Sequence, residues 1–244
     1  MAKYRADRSE VAVDVWGKIA MFTPPESKIE RVSYSVPTPS ACRGILCSIY
    51  LKPIEFYYEI RKIEVMKPIK TIEIKTNESK TKIESTSPRP IYLTMGKADN
   101  SLLCGRTGQG TQRGNVYLKD VYYRITADIV RRPDAPARIT MKALCNQFTN
   151  RIQKGKCFRQ PFFGTHECMA FFKMPDPGMT PIGVSQDLGY MLYDIFDITS
   201  NEKLDTSADG NAEKVISPSF YHAVMRNGTI EVPGWGSPEI RRLI

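Results

Sequence analysis

Apolar and polar residues alternate along EVAVDVW, 10–16, where Val11, Val13 and Val15 share one parity and predict a strand with one buried face. The period changes after the loop TPPESKIERVSYSVPTPS. Ser40 reads as an N-cap after Pro39, and Pro53 disfavours helix at the residue before it, so about three helical turns fit between them. At roughly 100° per residue, Ala41, Ile45 and Ile49, flanked by Cys42 and Leu46, form one apolar stripe, and Arg43, Cys47 and Tyr50 fall opposite. On that projection Tyr50 is not needed for the core, and its face is either plain solvent or a site. EFYYEIRKIEVM, 55–66, predicts a long strand, with TIEIKTNE, 71–78, as its partner after Pro68.

The stretch 79–115 is polar and glycine-rich, ending in GRTGQGTQRGN, and reads as an inserted basic loop or hairpin. Beyond it, Val121, Tyr123, Ile125, Ala127 and Ile129 share one strand face, whereas Val116 and Leu118 have the other parity, which predicts a bulge near Lys119 and Asp120. A second helix is predicted over 136–153 from Ala137, Met141, Leu144, Phe148 and Ile152, with Gly155 to end it. GKCFRQPFFGTHECMAFFKM returns as a strand pair or as a glycine-turned loop leading into a strand. Strand, helix, strand, strand, helix, strand is the order of a ferredoxin-like (RRM-like) α+β domain. PDPGMTP then marks a boundary. DLGYMLYDIFDI follows as a strand, SNEKLDTSADGNAEK as an acidic loop, and HAVMRNGTIEVP as a hairpin turning at Asn227-Gly228. The expected organisation is a ferredoxin-like domain at 1–174, with its insertion at 79–115, and a small antiparallel β-rich C-terminal subdomain at 175–244.

A hydrophobic content of 41% over 244 residues argues against disorder and allows an ordinary core. No run of about 18 apolar residues is present, and the N-terminal MAKYRADRSE is charged where a signal peptide needs an apolar stretch. A cytoplasmic protein without a membrane partner is therefore expected. None of the six cysteines lies in a CxxC pair and there are two histidines, so no structural zinc is expected. The phosphate-loop, dinucleotide, HExxH and GxSxG motifs are missing, and no cofactor is implied.

Charge changes this picture more than composition does. Residues 1–174 hold 30 Lys and Arg against 16 Asp and Glu, whereas 175–244 hold 5 against 10. A basic body suggests a polyanion partner, most often nucleic acid, although many basic proteins bind nothing anionic. Aromatic and basic residues interleave in FYYEIRK, KDVYYR and GKCFRQPFF, which supplies both ring stacking and phosphate contacts for single-stranded RNA. The same aromatics are also ordinary strand residues. Cutting RNA without a metal needs a base for the 2′-hydroxyl proton, a charge to stabilise the phosphorane and an acid for the leaving oxygen. Tyr50, Lys142 and His166, in GTHECMAFF, are candidates, and His222 beside the C-terminal hairpin reads as structural. Arg43, Lys52, Arg113, Lys119, Arg151, Lys154, Lys156 and Arg159 are candidate RNA contacts.

RVSYSVPTPSACRGILCSIYLKP with IRKIEVMKPIK, then TQRGNVYLKDVYYRITA, NRIQKGKCFRQPFFGTHEC and VMRNGTIEVP, resemble in order the CRISPR-associated Cas-five family of the type I-C (Dvulg) subtype. The resemblance implies the RAMP fold: a ferredoxin-like domain with an inserted hairpin and a β-rich C-terminal region. It implies metal-independent cleavage of precursor CRISPR RNA at the repeat hairpin, with the 2′-hydroxyl as nucleophile. Retention on the 5′ handle inside a Cascade complex follows, with the backbone and large subunits as partners and target DNA reached through the assembly. The family's cleavage tyrosine matches Tyr50. Its lysine and histidine align loosely with ITMKALCN, where Lys142 is near the lysine position and Leu144 or Cys145 holds the histidine position. His166 replaces an arginine of the family's glycine-x-arginine-glutamate motif. Two functions stay open on this reading: an endoribonuclease, or a non-catalytic subunit capping the 5′ handle.

Overall fold

Val13 and Val15 are fully buried on one side of the first strand, β1 (Arg8–Ala20), as their alternation requires. The computed structural model describes residues 7–27, 31–79, 110–136, 138–195, 197–198 and 218–242. Helix α1 (Pro39–Ile49) follows β1, and Cys42, Ile45, Leu46 and Ile49 form its buried stripe. Its N-cap is Thr38, not Ser40: the Thr38 hydroxyl accepts from the Ala41 N–H at 3.2 Å. Pro39 is then the first helical residue, where its missing N–H costs no helical hydrogen bond. Strand β2 (Phe56–Val65), hairpin strand β3 (Thr71–Ser79) and the 22-residue β4 (Gly110–Arg131) come next.

Strand β3 pairs with β4, from Thr71 opposite Leu118 to Ser79 opposite Gly110, and not with β2 as the pattern suggested. The inserted hairpin therefore begins at 71 and returns through 118, while residues 80–109 of the expected insertion lie outside the described residues. Beyond Leu118 the same strand turns inward and pairs with β1 and β2. Asp120, with φ of 53°, marks that turn and accounts for the parity change read at this point. Helix α2 (Met141–Gln153) starts five residues later than the predicted 136, because the Thr140 hydroxyl takes up the Ala143 N–H at 3.3 Å. Ala137 lies outside the described residues, and Gly155, at φ of 60°, ends the helix as expected.

The 160–170 segment is the glycine-turned alternative, closed by a bridge from Phe162 to Met169 and leading into β5 (Phe171–Lys173). The remaining strands are β6 (Gln186–Asp194), β7 (Ser219–Arg226), β8 (Thr229–Glu231) and β9 (Arg241–Arg242). Asn227 and Gly228, at φ of 47° and 73°, make the tight β7–β8 turn that their dipeptide signals. The acidic stretch 199–214 falls outside the described residues. All the strands belong to one sheet, ordered β5-β1-β4-β2-β8-β7-β6, with β3 on β4 and β9 on β7. The first four of that path are the ferredoxin-like core, and β8 on β2 carries the C-terminal strands onto the same sheet. On the sheet face that holds Val13, Val15, Ile125, Ala127 and Ile129, α2 packs over β1 and β4 and α1 over β2 and β6. Among the described residues no helix is long and apolar enough to cross a membrane.

Candidate active-site cleft

Tyr50 leaves the helical projection because α1 stops one residue before it. Its φ and ψ of −145° and 119° are extended, while its N–H still donates to the Leu46 carbonyl at 2.9 Å. The extended step swings the ring inward against Phe56, with centroids 5.2 Å apart, and the Tyr58 hydroxyl donates to the Tyr50 carbonyl at 2.9 Å. Tyr50 is 6% exposed, so it belongs to the core and not to a solvent face. It also lines a cleft of about 450 Å³ between the end of α1 and helix α2. There it meets Lys52 and Glu55 after α1, Arg138 before α2, and Ala143, Gln147 and Arg151 along α2.

Ala143, Gln147 and Arg151 recur every four residues, so one flank of α2 forms the far wall. Arg151 ties the two helix ends together. Its Nη1 donates to the Ile49 carbonyl at 3.1 Å, and its guanidinium lies 5.5 Å from the centre of the Tyr50 ring. Lys52 pairs with Glu55 at 3.1 Å. Three cations and one carboxylate leave the cleft suited to a phosphodiester. Burial, and after it the Glu55 carboxylate, pushes the Tyr50 hydroxyl above the usual phenol range, with Arg151 pulling the other way. At neutral pH that hydroxyl carries its proton and is a hydrogen-bond donor.

The structure does not assemble Tyr50, Lys142 and His166 in one place. Lys142 is exposed one position before Ala143, which turns it by roughly 100° from the cleft wall. His166 is exposed on the loop after Gly164, its ring centroid 4.4 Å from that of Phe162. Phe162 lines a second cleft, of about 300 Å³, with Ser40, Gly44, Cys47, Arg159 and Gly164 among its walls. Among the described residues the two clefts share none.

The candidate RNA contacts divide in the same way. Lys52 and Arg151 line the Tyr50 cleft, and Arg159 lines the second. Lys154 and Lys156 are exposed just past α2. Arg113, half-buried opposite Thr76, lies on the β3–β4 hairpin, with exposed Lys119 near its base. Arg43 is committed elsewhere: its Nε and Nη2 reach the Asp194 carboxylate at 2.8 and 3.0 Å, clamping α1 to β6. Arg138 and Gln147 escaped the sequence reading. The four-residue spacing from Ala143 to Arg151 is the signal that places Gln147, whereas Arg138 precedes the helix and has no periodic signature.

A family model described as CRISPR-associated protein (Cas_Cas5) matches residues 11–233. CRISPR pre-crRNA endoribonuclease Cas5d of Thermus thermophilus is 34% identical over 239 residues, covering 96% of each chain. The protein of the same description from Mannheimia succiniciproducens is 35% identical over 242 residues, covering 96% of this chain and 99% of its own. A solved structure described as a CRISPR-associated protein superposes with a TM-score of 0.65 at 24% identity, covering 97% of this chain and 99% of its own. A functionally uncharacterized protein of Streptococcus mutans gives 0.63 at 22%, covering 97% and 100%. These two likenesses bear on the fold, which they share over nearly the whole chain. Because the family model spans residues 11–233 and both curated relatives match along almost their full length, the chain belongs to the CRISPR-associated Cas5d family.

Proposed function

We propose that this protein cuts precursor CRISPR RNA at its repeat hairpin and stays on the 5′ handle as a subunit of a type I-C Cascade complex. The observation that carries the reading is that Tyr50 lines one cleft together with Arg151, Arg138 and Lys52, in a chain akin to pre-crRNA endoribonucleases. The 2′-hydroxyl attacks the adjacent phosphorus and the 5′-oxygen leaves, giving a 2′,3′-cyclic phosphate and a 5′-hydroxyl. Arg151 and Arg138 offset the charge that develops on the phosphorane. Tyr50, held protonated, donates to a phosphate oxygen or to the leaving 5′-oxygen, and Glu55 accepts the 2′-hydroxyl proton. Lys154, Lys156 and Arg159 carry the RNA backbone past the end of α2.

The test is incubation of the purified protein with repeat RNA in EDTA, with the product ends identified. One cut leaving a cyclic phosphate supports the reading, and intact RNA under saturating protein would refute it. A second reading, a non-catalytic cap on the 5′ handle, draws on the position of Lys142 and His166 outside the Tyr50 cleft. It calls for tight, salt-sensitive binding to the repeat without any cut.

A further inference from the structure

The helices cover one face of the sheet, and the other carries a row of aromatic rings. Trp16 on β1 stands directly opposite Tyr122 on β4 and Phe171 on β5. Trp16 and Tyr122 have ring centroids 5.9 Å apart at 17°, and Trp16 and Phe171 are 6.1 Å apart at 28°, so the three rings stack across three strands. The inner end is fixed, because the Tyr122 hydroxyl donates to buried Asp14 at 3.1 Å and Arg124 grips the same carboxylate at 2.7 Å. The outer end is open. Phe171 is 48% exposed on the edge strand of the sheet, and Met169, two residues before it, is 55% exposed.

A cross-strand ring row stabilises a sheet without any ligand. That role does not account for the outermost ring being left half in water beside cations. The Lys173 ammonium lies 5.9 Å from the centres of both the Trp16 and Tyr122 rings, where Asp176 pairs with it at 3.0 Å, and exposed Lys18 follows Trp16 at the same parity. In the core order β5-β1-β4-β2, Trp16 and Tyr122 occupy the two central strands, on the face away from the helices. Aromatics on a sheet face of this kind are how RRM-type sheets hold unpaired bases.

We propose that this row is a stacking site for an unpaired nucleobase of single-stranded RNA, which adds to the Phe171 end while Lys18 meets a flanking phosphate. The site rests on the RNA-processing reading but uses none of the Tyr50 cleft. Base stacking is indifferent to sequence, because every base has a π-face, so the site selects unpaired RNA over duplex. Its occupant is therefore the unpaired RNA flanking the repeat hairpin.

The experiment uses a Trp235→Phe background, in which Trp16 is the one tryptophan left of two. Repeat RNA with an unpaired flank of roughly ten nucleotides is titrated against the protein, and so is the blunt hairpin without the flank. Flanked RNA is expected to quench Trp16 fluorescence saturably. Phe171→Ala and the milder Phe171→Leu are expected to bind flanked RNA about tenfold more weakly. The same variants should bind the blunt hairpin like the parent, and their cleavage rate at saturating RNA should stay within about twofold. Parent protein that binds flanked RNA no better than Phe171→Leu, with Trp16 unquenched, overturns the stacking site alone and leaves a protein contact as the row's use. Parent protein that binds no repeat RNA at all overturns the processing reading along with it.

Discussion

A tyrosine one residue past a helix end explains much of the proposed chemistry. The extended backbone at Tyr50 buries the ring against Phe56 and makes Tyr50 part of the wall of a basic cleft. Tyr50→Phe keeps the ring packing and removes only the donor, so repeat affinity should hold while single-turnover cleavage falls about a hundredfold. The upward displacement of the Tyr50 pKa fixes the sign of its pH dependence. The donor form is the one present below the raised pKa and is lost only above it, so Tyr50's contribution should be flat from roughly pH 6 to 9. A rate ratio between parent and Tyr50→Phe that grew with pH over that window would show a tyrosinate acting as base instead. Arg43 is held in a buried ion pair, so its loss should register in stability. Its partner Asp194 has a side chain only 2% exposed, so Arg43→Ala removes the cation from a buried carboxylate that keeps the Ile195 N–H and the Ser40 hydroxyl, and should cost about 3 kcal/mol in denaturant unfolding.

At the scale of elements, the turn at Gly164 locks the loop that carries His166 to the end of β1. Gly164 has φ of 84°, and a Cβ there would fall 1.7 Å from the Met21 carbonyl oxygen, while the Met21 N–H donates to the Phe163 carbonyl at 3.0 Å. Gly164→Ala should lower the thermal midpoint by several degrees and loosen the 160–170 segment in hydrogen exchange. The elements themselves were legible wherever burial follows a period. The stripes of α1 and α2, the alternation of β1 and the Asn227-Gly228 turn are written in adjacent residues. Tyr50 was misplaced because a projection of 100° per residue holds only while the backbone is helical, and nothing local announced that α1 stops at Ile49. The choice of β4 over β2 as partner of β3 is a long-range pairing that no short window encodes. The Arg43–Asp194 pair was not legible because its partners are 151 residues apart. Lys142 was one position off the cleft wall, a distance that a loose alignment cannot resolve and that a helix converts into a different face.

Across the whole molecule, one sheet joins the basic body to the acidic C-terminal third. Strand β8 pairs with β2, and Arg43 clamps α1 to β6, so the two regions share strands and a buried ion pair. Unfolding by denaturant should be a single transition, with fluorescence and far-UV circular dichroism coincident, and two separate transitions would show independent domains. The exposed cations Lys154, Lys156 and Arg159 follow α2 in the chain. Removing all three should weaken repeat binding and flatten its dependence on salt, the log–log slope falling by about 0.7 to 0.9 for every phosphate left without its cation. We propose that Tyr50 and Arg151 act on the scissile phosphate in one cleft. Single-turnover cleavage of repeat RNA in EDTA, by the parent protein, Tyr50→Phe and Arg151→Ala at matched RNA occupancy, tests it most directly. A cyclic-phosphate product from the parent and rates lower by about a hundredfold in each variant are expected; cleavage at the parental rate in both variants would show that the cut is made elsewhere.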